Sequence, residues 1–393
     1  MNMPSRNLAM ISGLRRGALT ALSLLAFAVG PALAAPRTFV ASYGSDANPC
    51  SVNAPCRSFA AAIALTNATG EVIVLDSAGY GPVTIAKSVS LIAAPGVYAG
   101  ISVFSGIGID VEAGGADKVV LRGLSINGQG GAIGIVVGTS GQVHIESCTI
   151  SGMANQGIEA TLGSYVRVAN STIRSNGQDG IFFTGAGTLA IEDTSIVRNT
   201  RHGVWINDAA KALIRGLRSG DNVFEGLFVA QTTGTGIVTV SDSDFTNNGR
   251  IGVKLWAIPS GGSPFLGVSL NNVSSNRNFD NGVEIIGDAK GNVNATINDS
   301  QLTFNGSYGV ASSGSGIALV TVNRSAVNDN GAVGVYAAGS SGVIVALNNN
   351  NIARNGVNDI ERIAPAVVRT FSNNALTGLG SDVSGSLTGA SPH

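Results

Sequence analysis

The sequence is poor in most of what marks a charged interface or a metal-dependent enzyme. Only 12% of its 393 residues are charged, and 23 Lys and Arg against 24 Asp and Glu leave a net charge of -1. Without a basic surplus, neither nucleic acid nor an anionic membrane surface is expected as a partner. Histidine is limited to three residues. His144 and His393 have no partners at ligand spacing, so neither a metal site nor a cofactor is expected. The three cysteines are an odd count. Cys50 and Cys56 lie in a Pro-rich turn, Asn48-Pro49-Cys50 to Pro55-Cys56, and are expected to be bridged, which leaves Cys148 as a buried, inert thiol.

Long apolar runs are missing as well, with one exception. Residues 1–34 combine Arg6, Arg15 and Arg16, an apolar stretch at 17–29 and the small-residue site Ala32-Leu33-Ala34. This is the pattern of a secretory signal, with the mature chain starting near Ala35. Elsewhere Gly, Ser, Asn or a charge breaks every apolar run before the roughly 18 residues that a membrane span needs. An exported, soluble protein is expected, periplasmic or extracellular.

Glycine, at 54 residues, is abundant, and it is periodic. An Asn, three residues and then a Gly recur at Asn176 and Gly180, Asn199 and Gly203, Asn222 and Gly226, Asn248 and Gly252, Asn278 and Gly282, Asn305 and Gly309, and Asn330 and Gly334. Asn355 with Asp359 closes the series. Fourteen residues before successive markers, counting also Gly157, stand Val143, Val166, Leu189, Ala212, Val238, Val268, Ala295, Val320 and Val345, each followed two residues later by another aliphatic side chain. Three short strands per repeat, each with alternate residues inward, predict a coil of a parallel β-helix, with strands about 4.8 Å apart along the axis. An Asx column, Asn170, Asp193, Asp242, Asn272, Asp299 and Asn349, reads as left-handed turn positions, and the marker Asn and Gly columns take the same explanation.

The expected organisation is a signal at 1–34, an N-terminal cap at 35–70 with a short helix and the Cys50–Cys56 bridge, an all-β solenoid of about ten coils at 71–376, and a flexible Gly- and Ser-rich tail at 377–393.

The opening Thr38-Phe39-Val40-Ala41-Ser42, Gly44-Ser45-Asp46, the Cys pair, the Ala-rich helix, Glu71-Val72-Ile73-Val74-Leu75 and Gly79-Tyr80 resemble the start of pectin-lyase-like proteins. The coils resemble that superfamily's right-handed parallel β-helix repeats. The resemblance implies the fold. It leaves activity open, because the superfamily holds polysaccharide lyases, hydrolases, methylesterases and epimerases beside inactive adhesins and coat proteins. Where polygalacturonase-like enzymes carry Asn-Thr-Asp, Asp-Asp, Gly-His-Gly and Arg-Ile-Lys, this chain has Asn199-Thr200-Arg201-His202-Gly203, no Asp pair, and Arg250-Ile251-Gly252. No catalytic residue carries over.

Register nevertheless singles out one place. Two residues after the marker Gly an outward column reads Val136, Glu159, Phe182, Trp205, Phe228, Lys254, Glu284, Ala311 and Tyr336. Phe182, Trp205 and Phe228 make an aromatic stripe suited to the CH faces of sugars, so a polysaccharide lying along the axis is the expected partner. One residue before the Gly the column runs Gln156, Asp179, His202, Glu225 and Ile251, with Arg201 beside it. Asp179 and Glu225 are candidate acid and base for glycosidic cleavage, and His202 and Arg201 a candidate base and cation for a lyase. The alternatives are a solvated charge ladder, and a non-enzymatic surface scaffold or adhesin whose stripe is a protein contact or pins register. The connection at 257–264 could wall or cover the groove.

Overall fold

A computed structural model of the chain describes residues 35–138, 141–161, 163–377 and 381–389. The expected signal at 1–34 lies outside them. The described residues build a solenoid in which each coil contributes up to three short strands.

The third strands stack in chain order as one parallel sheet of thirteen, from Val83–Ile85 to Ser381–Ser384. First and second strands form a 22-stranded sheet, with a further three-stranded sheet of Ala326–Asn328, Asn351–Ala353 and Ala375–Thr377. Register advances one coil per step, so Ile181 faces Val204 and Val204 faces Leu227. Inward columns such as Val143, Val166 and Leu189 or Ile181, Val204 and Leu227 are fully buried in one continuous apolar core. Thirteen third strands give about twelve turns where ten were expected. The difference lies at the ends, where Val83–Ile85 and Ser381–Ser384 stack without the Asn-to-Gly marker.

The Asx column does take left-handed backbone, with φ between 44° and 55° from Asn170 to Asn349. The marker Asn column does not. There the left-handed residue is the one before it, Ser175, Arg198, Asp221, Asn247, Arg277, Phe304, Asp329 or Arg354. The turn so made points the marker Asn inward, where its side chain bonds the next coil. Amide Nδ2 of one Asn donates to Oδ1 of the next at 3.0–3.1 Å from Asn176 through to Asn355, and Asn355 donates to Asp359 at 2.8 Å. The marker Gly is required by space. A Cβ on Gly180 would lie 2.7 Å from the Gly203 carbonyl oxygen and 2.9 Å from Asn199 Nδ2, so the ladder admits no side chain there.

Near the N-terminal end the helix Phe59–Leu65 starts at Ser58, whose Oγ accepts from the Ala61 N–H, and buries Phe59, Ala62 and Ile63. Cys50 and Cys56 are joined, and Cys148 is free and buried, its thiol pushed up to about 11 by burial. Ser381–Ser384 and Thr388–Gly389 pair with Asn358–Arg362 and Val367–Thr370, so much of the stretch expected as a flexible tail continues the solenoid. Inward Val383 and Leu387 pack on the core and tie these strands down.

Candidate functional site

The strands Ile181–Thr184, Val204–Asn207 and Leu227–Gln231 lie side by side in the thirteen-strand sheet, and their register places Phe182, Trp205 and Phe228 in one outward column. Neighbouring coils are close enough for the rings to meet. Phe182 and Trp205 have centroids 4.7 Å apart at 44°, and Trp205 stacks on Phe228 at 6.0 Å and 15°. All three rings are half-buried. The Arg201 guanidinium stands 5.0 Å from the centre of the Trp205 ring.

The aromatic run is longer than the column. Trp256, which faces Ala230 two residues further along the strand, lies 6.5 Å from Phe228. Its indole N–H donates to Asp288 at 2.8 Å. Lys254 occupies the column itself, its ammonium 5.9 Å from the Phe228 ring, 5.1 Å from the Trp256 ring and 3.0 Å from Glu284. Two and three coils beyond Lys254, Tyr308 and Tyr336 stack almost parallel at 4.7 Å. The connection at 257–264 is tied by its backbone to Gln231 and Thr232 at the strand's far end.

The second column is not the solvated ladder it resembles in the sequence. Asp179, His202 and Glu225 are buried, at 0%, 4% and 2% exposure. His202 Nδ1 lies 2.6 Å from Asp179 Oδ1, which also accepts the His202 backbone N–H at 3.1 Å. His202 Nε2 lies 3.1 Å from Glu225 Oε2. The imidazole therefore bridges carboxylates on the coils either side of it. Its ring is enclosed by Trp205, Phe224 and Phe228, with centroids 5.4, 5.5 and 5.4 Å away. Two arginines finish the cluster from the rim, each 3.7 Å from a carboxylate: Arg201 at Asp179 and Arg250 at Glu225.

Both ring nitrogens can donate only if the imidazole is protonated. Burial opposes that charge, but hydrogen bonds to Asp179 and Glu225 and their charges outweigh it, so the His202 pKa is raised above 6.5. Burial likewise works against the Glu225 carboxylate, and the His202 hydrogen bond and charge, with Arg250, bring it below the ordinary carboxylate value. The cluster is a desolvated ion network whose carboxylates face the imidazole instead of an open groove.

The structure thus brings together all seven candidates: Asp179, Arg201, His202 and Glu225, and Phe182, Trp205 and Phe228. Trp256, Phe224 and Arg250 were missed. Trp256 sits two residues off the column that exposes the others, while Phe224 and Arg250 share with Arg201 the position two after the marker Asn, which was available as a signal. Among the described residues, no group of three His, Cys, Asp or Glu could hold a metal ion, and no helix is long and apolar enough to cross a membrane.

Residues 106–263 match the family model described as the right-handed β-helix region. No curated protein sequence matches the chain. Among solved structures, a double mutant of a periplasmic alginate epimerase aligns with 80% of this chain and 77% of its own at 11% identity and a TM-score of 0.55. A pectate lyase aligns over 92% and 80% at 16% identity and a TM-score of 0.46. The A-module of a mannuronan C-5 epimerase from Azotobacter vinelandii aligns over 82% and 89% at 15% and 0.45. With the coil register and sheet order described above, the family match establishes the fold as a right-handed parallel β-helix.

Proposed function

We propose that this is an exported β-helix, periplasmic or extracellular, that binds a polysaccharide along the outer face of its thirteen-strand sheet. The observation that carries this reading is the aromatic run Phe182, Trp205, Phe228 and Trp256 on four successive coils. Flat rings repeating along the axis offer CH-stacking surface to successive sugars. Arg201, Lys254 and Asp288 beside them supply polar groups for orientation. The likeness in fold to an alginate epimerase supports a glycan as the ligand class.

Binding is better supported than cleavage at this site. Asp179 and Glu225 are both engaged with His202 and shielded by rings, so neither is placed to reach a glycosidic oxygen or a ring proton. Asp179, His202 and Glu225 position the rings, and Arg201 lines the face. A second reading, a scaffold or adhesin in which the stripe pins register or meets a protein, is favoured by the contacts the rings make with each other.

A polysaccharide panel, read for binding and for release of unsaturated or reducing ends, separates the readings. The expected result is binding without release, weakened about thirtyfold by Trp205→Ala, as for the loss of a central aromatic anchor worth about 2 kcal/mol. Silence across the panel, with Trp205→Ala losing only stability, would favour the scaffold. Release of new ends that His202→Ala abolishes would establish cleavage instead.

A further inference from the structure

We infer that the Asp179–His202–Glu225 relay is a protonation switch that holds the aromatic face in its binding shape only while His202 carries both ring protons. The inference rests on the glycan reading only for what the face binds. The switch itself is a property of the free protein.

The asymmetry of the relay says which half moves. Asp179 Oδ1 receives two donors from His202, the backbone N–H at 3.1 Å and Nδ1 at 2.6 Å. When the imidazole becomes neutral, one nitrogen must become an acceptor. Nδ1–H keeps the shorter contact, and the lone pair then falls on Nε2, opposite Glu225 Oε2 at 3.1 Å. Two acceptors facing each other in a desolvated site repel. Glu225 has an exit, because Arg250 already stands 3.7 Å from its other oxygen and is 51% exposed. Asp179 is fixed by the His202 backbone and flanked by Arg201.

The charged groups around the imidazole are therefore Asp179 and Arg201 from one side and Glu225 and Arg250 from the other. The rings packed against it, Trp205, Phe224 and Phe228, are uncharged. Glu225 is followed by Gly226 and then the strand carrying Phe228, and is preceded by Phe224, whose ring lies beneath the Arg250 guanidinium. Movement of Glu225 towards Arg250 would draw Phe224 and Phe228 off the imidazole and break the stack of Phe228 on Trp205. Trp205 and Phe182 would stay with the Asp179 side. The face would thus divide between the coils of Gly203 and Gly226.

The chain's two tryptophans make the switch measurable without a ligand. In a Trp256→Phe background, emission from Trp205 is followed against pH while nitrogen NMR reports the His202 ring. The expected result is one transition in both signals, with a midpoint above 6.5. Glu225→Gln should move that midpoint down, and His202→Gln should remove the transition while circular dichroism remains that of a β-helix. Should His202→Gln fail to fold, the Glu225→Gln shift alone decides. A Trp205 signal that stays flat while His202 titrates, or a midpoint unmoved by Glu225→Gln, overturns the inference. Neither result depends on a glycan. A panel without binding at any pH removes the glycan reading and leaves the switch standing.

Discussion

Two buried polar ladders climb the same coils three residues apart, and they are built on opposite principles. The asparagine ladder is neutral, repeats from Asn176 to Asn355, and links each coil to the next through identical amide bonds. The Asp179–His202–Glu225 ladder is ionic and spans three coils. An amide carries donor and acceptor together, so it can be repeated without limit and ignores pH. A carboxylate–imidazole–carboxylate sequence needs alternating residue types and a particular protonation state. In a solenoid the first pattern is what stacking alone requires. The second departs from it, and it departs beneath the aromatic face.

That contrast can be broken or sharpened by substitution. The largest effect is expected from Glu225→Ala, which leaves Nε2 of a buried imidazolium without an acceptor and should cost roughly 3–5 kcal/mol in denaturant unfolding below pH 6.5, where His202 is charged. The loss should shrink as His202 deprotonates. Asn222→Ala comes next. It strips the acceptor from both the backbone N–H and Nδ2 of Asn199 and should cost roughly 2–4 kcal/mol, unchanged between pH 5 and 9. If the two losses followed pH alike, the distinction between the ladders would fall.

A stability difference between the wild type and His202→Gln should be bell-shaped in pH. His202, with its pKa raised, stabilises fully below its unfolded value, and this is lost as pH rises through its folded value. Glu225, with its pKa lowered, stabilises above its unfolded value, and this is lost as pH falls through its folded value. A thermal-denaturation series from pH 3 to 10 checks this, and a monotonic curve would mean that the three groups do not act as one network. The smallest effect is expected from Arg122→Ala. Its pair with Glu146 is the exposed end of a half-buried ladder with Arg167 and Glu192, and removal should cost about 0.5 kcal/mol or less and fade with salt.

How much of this was legible follows from which quantities period and offset carry. Offsets from the marker Gly named the outward column from Val136 to Tyr336, and the strand pairings reproduce it coil by coil. The coil is a rigid period, so equal offset means equal place. Backbone sign was less legible, because an Asn serves both as a left-handed turn residue and as a ladder amide. Asn170 does the first and Asn176 the second, and only φ tells them apart. Burial of Asp179, His202 and Glu225 is not legible from the charges in their column. Ile251, which follows Glu225 in that column and is itself buried, was the available signal. Trp256 escaped because aromatic contact runs diagonally between columns, and a one-column reading cannot follow it.

The proposed glycan face from Phe182 to Trp256 carries a tryptophan at its centre and another at its end. Only two indole N–H signals, from Trp205 and Trp256, are expected in the proton–nitrogen NMR spectrum. Oligosaccharides cut from whichever polysaccharide the chain binds should shift both signals saturably, with the same apparent affinity. Saturating binding that leaves both signals in place would put the glycan elsewhere and contradict the account.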